Sequence, residues 1–113
     1  MPKVYIVQEP IDFDRSERVE RKRFDTTPAE EFGEVVNLLS YRAKPYVPAR
    51  VIAELREKLA GFAEDDYLLP SGSIAINMWA YAIASENISP KNPKLLQWSG
   101  QLDRYVELLA EIL

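Results

Sequence analysis

The sequence predicts an α+β fold: one small domain, residues 1–113, with a four- or five-stranded, mostly antiparallel sheet packed by two central helices. Two helical patterns occupy the middle of the chain, and short β-branched or aromatic runs lie on either side of them. A chain of 113 residues, 47% of them hydrophobic, is long enough to bury one core and too short to bury two. We expect the two helices to cover one face of the sheet.

Composition removes several classes of function. The chain contains no cysteine and no histidine, so it offers no thiol nucleophile, no thiolate or imidazole metal ligand and no histidine base. A net charge of −4 argues against nucleic-acid binding by the whole surface. No apolar segment approaches the ~18 residues of a membrane span, and the N-terminus lacks a signal-peptide pattern. We therefore expect a cytoplasmic, non-enzymatic protein without metal or cofactor.

The N-terminal region is expected to hold a buried strand and then a charged one. Val4 to Val7, with the sequence VYIV, is a β-branched and aromatic run that Glu9-Pro10 closes, and residues 11–17 are expected to be a loop. The sequence RVERKRFD, residues 18–25, predicts a polar strand at a sheet edge or in a projecting hairpin, where charge discourages edge-to-edge association.

A short helix and another strand are predicted next. Residues 27–30 (TPAE) match a helix start with a capping box, and Gly33 limits this helix to one or two turns. Residues 34–39 (EVVNLL) have the apolar density of a central strand. A continuous helix over residues 28–39 is the alternative.

The first central helix is expected to begin at Pro48 and to end before Gly61, because proline suits the first helical position and glycine the stop. Its apolar residues recur at helical spacing and form one stripe: Val51, Ile52, Leu55, Leu59 and Phe62. Pro70 then restricts the residue before it, which predicts an extended segment over residues 65–70.

The second central helix reads IAINMWAYAIA over residues 74–84 and is apolar on nearly all sides. A helix of this length and composition is expected to be buried in the core. Ser71 or Ser73 is expected to cap it. Asn77 and Tyr81, its polar residues, are expected to join a structural hydrogen-bond network.

The C-terminal segment fits two structures. Lys94 to Trp98, followed by Ser99-Gly100, predicts a strand and a turn. Residues 101–113 fit a helical stripe about as well as they fit a strand. A terminal hairpin accounts for Trp98, the turn and Tyr105 together, so we favour a strand.

These elements together resemble a known group of sequences. The succession FGEVVNLL, a helix opened by proline, DDYLLPSGS before an alanine-rich helix, LLQW and RYVELL resembles small, uncharacterised proteins of bacteriophages and prophages. The similarity covers Phe32 to Leu108 and is most specific at Asp65 to Ser71, whereas residues 99–102 (SGQL) depart from the group's more charged turn. The resemblance implies an α+β domain in a phage context, hence the host cytoplasm, and implies no activity.

The basic run is the first candidate site. Within nine residues it holds five basic side chains, with two glutamates between them, a local excess of three positive charges: Arg15, Arg18, Arg21, Lys22 and Arg23. One interpretation is a phosphate-contacting hairpin on which Phe13 or Phe24 stacks on a base. The other is a solvated edge strand, which the interleaved glutamates favour.

Trp98 and Tyr105 are the second candidate site, because aromatic residues on a terminal hairpin either pack in the core or are exposed and anchor an interface. The acidic cluster Glu64-Asp65-Asp66 and the Ser71-Gly72-Ser73 segment are better explained as a turn and a helix cap than as a cation or phosphate site.

We therefore expect a non-enzymatic interaction protein that binds a host or phage protein, or a second copy of itself. The expected contact is a sheet edge or the terminal hairpin. The alternative is a nucleic-acid-binding accessory protein that uses the basic strand from Arg15 to Arg23. An enzyme is the least favoured class, because no acid–base constellation is visible.

Overall fold

Seven strands, two α-helices and one short 3₁₀ helix make up the structure, a computed structural model that describes residues 1–111. In chain order these are β1 (Lys3–Gln8), β2 (Ile11–Asp14), β3 (Val19–Lys22), the 3₁₀ helix (Thr27–Glu31), β4 (Glu34–Leu39), α1 (Pro48–Lys58), β5 (Tyr67–Leu69), α2 (Ile74–Ile88), β6 (Lys94–Ser99) and β7 (Arg104–Leu108).

The main sheet has five strands in the order β4-β1-β5-β6-β7, which confirms the predicted α+β class and strand number. The predicted antiparallel character was wrong: β4, β1, β5 and β6 are mutually parallel, and only the pair β6–β7 is antiparallel. The physical reason is the connections. Each of α1 and α2 carries the chain back to the end of the sheet at which the previous strand began, so that the next strand runs parallel to it.

Two apolar layers enclose the sheet. Tyr5, Val7 and Leu68 point to the face that α1 and α2 cover, as predicted. Val4 and Ile6 point to the opposite face. There Ala29 of the 3₁₀ helix packs in one cluster with buried residues of β1, β5, β6 and β7. The run VYIV is therefore buried on both sides, which is typical of an internal parallel strand.

The charged strand lies in a projecting hairpin, one of the two predicted positions. β2 and β3 form a separate two-stranded sheet, so the expected loop over residues 11–17 was wrong in its first half. The sequence IDFD alternates apolar and acidic residues, which suits a strand that is largely exposed on both faces. Asp14 makes the turn by accepting hydrogen bonds from the N–H groups of Ser16 at 2.9 Å and Glu17 at 3.2 Å.

The structure decides the alternatives around Gly33. Residues 34–39 form β4, so the continuous helix over residues 28–39 was wrong. The short helix before it has no side-chain cap and no capping box. In the predicted capping box, the Glu30 carboxylate would accept a hydrogen bond from the N–H of Thr27. That N–H donates to Asp25 Oδ1 at 2.9 Å, because the aspartate two residues earlier competes for it.

Helix α2 is only partly buried, which corrects the expectation of burial on all sides. Ile76 and Ala80 are buried, whereas Ile74 and Met78 are 75% and 67% exposed. Ser73 caps the helix, as predicted, by accepting a hydrogen bond from the N–H of Ile76. Within residues 1–111 no helix is both long and apolar enough to cross a membrane.

The C-terminal hairpin is confirmed: β6 and β7 pair antiparallel with Trp98 opposite Tyr105. Residues 109–111 follow without regular structure. The helical alternative for residues 101–113 is therefore wrong within residues 104–108, and its last two positions lie outside the described residues.

Candidate functional site

The basic side chains of the β2–β3 hairpin are all exposed, as a binding role requires, but carboxylates accompany them. Arg21 pairs with Asp14 at 3.4 Å and with Glu17, and Arg23 pairs with Asp12 at 3.6 Å. Because β2 adds two aspartates, residues 11–23 carry five basic and four acidic side chains, a net charge of only +1. Arg15, Arg18 and Lys22 make no ion pair within the described chain.

The aromatic pair of the terminal hairpin has one buried and one exposed member. The rings of Trp98 and Tyr105 meet edge to face with centroids 5.1 Å apart. Tyr105 is buried, and burial, followed by the charge of Asp25, raises the pKa of its hydroxyl. Trp98 is 44% exposed. Of the two residues predicted as contacts, only Trp98 is exposed to solvent.

A cavity of about 740 Å³ lies beside this aromatic pair, between the end of β5 and the middle of β6, residues 95–98. We call it the β6 groove. Its lining is apolar except for one amide, one phenol and one carboxylate, and consists of Phe24, Asp25, Pro28, Leu69, Pro70, Leu95, Leu96, Gln97, Trp98, Tyr105 and Leu108. This volume and composition suit an apolar ligand or side chains of a partner.

A second cavity, of about 720 Å³, lies against the exposed side of α2 and is called the α2 cavity. Its lining consists of Arg23, Phe24, Pro70, Ser71, Gly72, Ile74, Asn77, Met78 and Tyr81. The two cavities share Phe24 and Pro70, so they are neighbours on one continuous surface.

The large exposed apolar residues of these cavities define what we call the Phe24 surface: Phe24, Ile74, Met78, Trp98 and Leu108. Sequence reasoning identified Trp98 as a contact and considered Phe24 only as a base-stacking residue. It missed Ile74 and Met78, because a helix that is apolar on all sides gives no periodic signal for its exposed face.

A buried amide bridges the crevice that binds ligands in parallel α/β sheets, and a cavity of about 330 Å³ remains beside it. Strand β4 lies on one side of β1, and β5, the next strand of this sheet in the chain, lies on the other side. In such sheets ligands bind beyond the carboxyl ends of the strands, at the position where the strand order changes side. Gln8, at the end of β1, lies at this position. Its Nε2 donates to the carbonyls of Ser40, Tyr41 and Ala43, at 2.8 Å for Ala43, and its Oε1 accepts from the N–H of Ser73 at 3.0 Å.

Gly72 fits tightly against this amide. It has a φ of +85°, and any Cβ added there would collide with the side chain of Gln8. Glycine is therefore required at this position for its conformation and for the close approach. The segment between β5 and α2 thus packs around Gln8.

Asp66 and Asn77 have structural roles, as predicted, whereas the Tyr81 hydroxyl makes no hydrogen bond within the described residues and Tyr81 lines the α2 cavity. Asp66 accepts hydrogen bonds from the N–H groups of Lys3 at 2.8 Å and Ala63 at 2.9 Å, which ties β1 to the turn before β5. Asn77 bonds both backbone groups of Ser71 and the carbonyl of Ser73. Among residues 1–111 no three acidic side chains are grouped so that they could hold a metal ion.

By fold and surface, this is a small α+β domain with a broad apolar surface and a buried amide, that of Gln8, across its strand-end crevice. Its sequence matches the profile of the family described as Phage Pam3 gp32-like protein over residues 2–112, so the chain belongs to that family. The phage context that the sequence resemblance implied is thereby confirmed. Searches of curated proteins and of solved structures found no match.

Proposed function

We propose that this phage protein is a non-enzymatic binding protein whose Phe24 surface docks onto another protein. The observation that supports this proposal is the grouping of exposed apolar side chains around two adjoining cavities. Monomeric proteins rarely leave contiguous apolar surface of this kind in water, because its hydration is unfavourable, and such surface marks a binding site.

The distribution of polar groups supports a protein as the partner. Aromatic residues and methionine are enriched in protein interfaces, and the surface presents Trp98, Phe24 and Met78. Between Ser73 and Ser85 helix α2 carries no charged residue, so a partner can cover it without burying a charge.

Two observations support a role without catalysis. The chain lacks histidine and cysteine, and in the crevice where parallel sheets commonly bind small molecules both ends of the Gln8 amide are already bonded to backbone groups. Neither cavity of the Phe24 surface pairs an acid with a base: Asp25 and Arg23 are the charged residues lining them, one in each, among the residues described.

Site-directed photo-crosslinking during phage infection tests the proposal. A photoreactive amino acid is placed at Met78 or Trp98, and at Tyr46 as an exposed aromatic control outside both cavities. We expect one protein to be crosslinked from both surface positions and not from Tyr46. A lack of crosslinks at both positions, or the same product from all three, contradicts the proposal.

Nucleic-acid binding through the hairpin is the second candidate function. It is favoured by Arg15, Arg18 and Lys22, which are exposed cations without an ion pair within the described chain. It is weakened by the four carboxylates on the same hairpin, since these repel phosphates. A salt titration, described below, separates it from the first candidate.

A further inference from the structure

The sheet has an internal gap at the β6 groove. Strand β5 has three residues and β6 has six, and their pairing consists of two register pairs, Tyr67↔Lys94 and Leu68↔Leu95. From Gln97 to Ser99, β6 is paired with β7 alone. Pro70 lies where β5 would continue, and it has no N–H to donate to a ladder.

This gap exposes backbone groups to the groove. In a strand, alternate residues direct their N–H and C=O groups to opposite sides, so part of the Gln97–Ser99 backbone points away from β7. Gln97 and Trp98 of this segment line the β6 groove, together with Leu69 and Pro70. An unpaired strand segment beside an apolar cavity is the arrangement by which proteins bind extended peptides: the backbone supplies hydrogen bonds, and the cavity takes alternate side chains.

The charge of the groove defines the partner further. Asp25 is the one charged residue among the described residues that line it. The N–H of Thr27 donates to its carboxylate, and this hydrogen bond, with that of the Thr27 hydroxyl second, lowers the pKa of Asp25. The groove is therefore apolar with a negative charge at its rim, which favours a basic group in the occupant.

The geometry points to an extended segment of the partner protein as the occupant of the β6 groove. Its backbone pairs with Gln97–Ser99, a large apolar side chain enters beside Trp98, and a lysine or arginine next to that side chain meets Asp25. This inference rests on the proposed protein-binding function and specifies the partner's chemistry: an extended, basic–apolar peptide, as opposed to a folded helical surface.

The first test uses the full chain and a display library of random nine-residue peptides. We expect the selected peptides to share a large apolar residue beside lysine or arginine. With the best synthetic peptide, Trp98→Ala is expected to raise Kd at least tenfold, because aromatic anchors contribute most of the binding energy. Asp25→Asn is expected to raise Kd about threefold, because it removes only an exposed charge pair. The control Leu102→Ser, at an exposed apolar residue outside the groove, is expected to leave Kd unchanged.

A second measurement on the unmutated protein keeps the test independent of folding effects in the variants. Amide hydrogen exchange is expected to slow at Gln97–Ser99 when the selected peptide is added, because backbone pairing protects amides. A library without binders, binders without the basic–apolar pattern, or binding that leaves exchange at these residues unchanged overturns the inference. If crosslinking at Met78 and Trp98 succeeds while no peptide binds, the proposed function stands and the extended-segment inference alone fails.

Discussion

At the scale of single residues, Gln8 holds three parts of the chain together. Its amide joins the end of β1 to the segment after β4 and to the start of α2. A buried amide with both ends bonded contributes little net free energy while intact and is costly to remove, because its partners lose their hydrogen bonds. Gln8 therefore fixes the strand ends.

The replacement Gln8→Ala tests this role. We expect a loss of about 3 kcal/mol in the free energy of unfolding, because the N–H of Ser73 and the carbonyl of Ala43 lose their partner. Urea denaturation gives the value, with the exposed Gln101→Ala as the matched control. If the free energy of unfolding of Gln8→Ala lies within about 0.5 kcal/mol of that of the control, the assigned role is contradicted.

Asp25 provides a prediction about pH. Its pKa is lowered from the ordinary value of 3.8 by the N–H of Thr27 first and by the Thr27 hydroxyl second. The ionised form therefore stabilises the fold above pH 3.8, and that contribution is lost as the pH falls through the lowered pKa. NMR titration of the Asp25 carboxyl carbon should give a pKa below 3.8, and Thr27→Val should raise it part of the way back. An unshifted pKa, or one that Thr27→Val leaves in place, contradicts this.

At the scale of elements, the sequence predicted most strands and helices but not their exposure. β1, β4, α1 and the terminal hairpin follow from local patterns, since each has its own propensity and stop signals. The exposed side of α2 did not follow, because an apolar residue such as Met78 looks the same whether the core or a partner covers it. Strand direction did not follow either, since it depends on the end of the sheet to which each connection returns the chain.

The two faces of α2 give a matched pair of variants. Ala80 is buried and Ala82 is exposed on the same helix, so aspartate has the same helix propensity at both. We expect Ala80→Asp to lower the free energy of unfolding by about 4 kcal/mol, because an unpaired charge enters the core. Ala82→Asp should change it by less than about 1 kcal/mol. Equal effects in urea denaturation would contradict this orientation of the helix.

The β2–β3 hairpin is the element on which the nucleic-acid alternative depends. With a net charge of only +1 over residues 11–23, we expect no binding to single- or double-stranded DNA or RNA at about 50 mM salt. Fluorescence anisotropy measures this. Binding that falls steeply with added salt and disappears in Arg15→Glu/Arg18→Glu would favour the alternative function over protein docking.

At the scale of the whole molecule, both edges of the main sheet carry charge. Arg104 and Glu107 are exposed on β7, and Glu34 is exposed on β4. Lys58 Nζ also donates to the carbonyl of Leu38 on β4 at 2.6 Å, which covers part of that edge. Charged side chains on edge strands oppose pairing between copies, so the sheet edges are protected and the apolar surface lies elsewhere, around Phe24.

This arrangement predicts that light scattering finds a monomer at micromolar concentration. A stable dimer needs ~800 Å² of well-packed surface per partner, and the protected sheet edges do not supply it. The variants Met78→Glu and Tyr46→Ser, inside and outside the Phe24 surface, distinguish the possible results. A dimer that Met78→Glu dissociates, while Tyr46→Ser leaves it intact, would identify a second copy as the partner of the Phe24 surface. A dimer that resists Met78→Glu and dissociates in Val106→Pro would mean that the β7 edge associates despite its charges, and it would contradict the assignment of binding to the Phe24 surface.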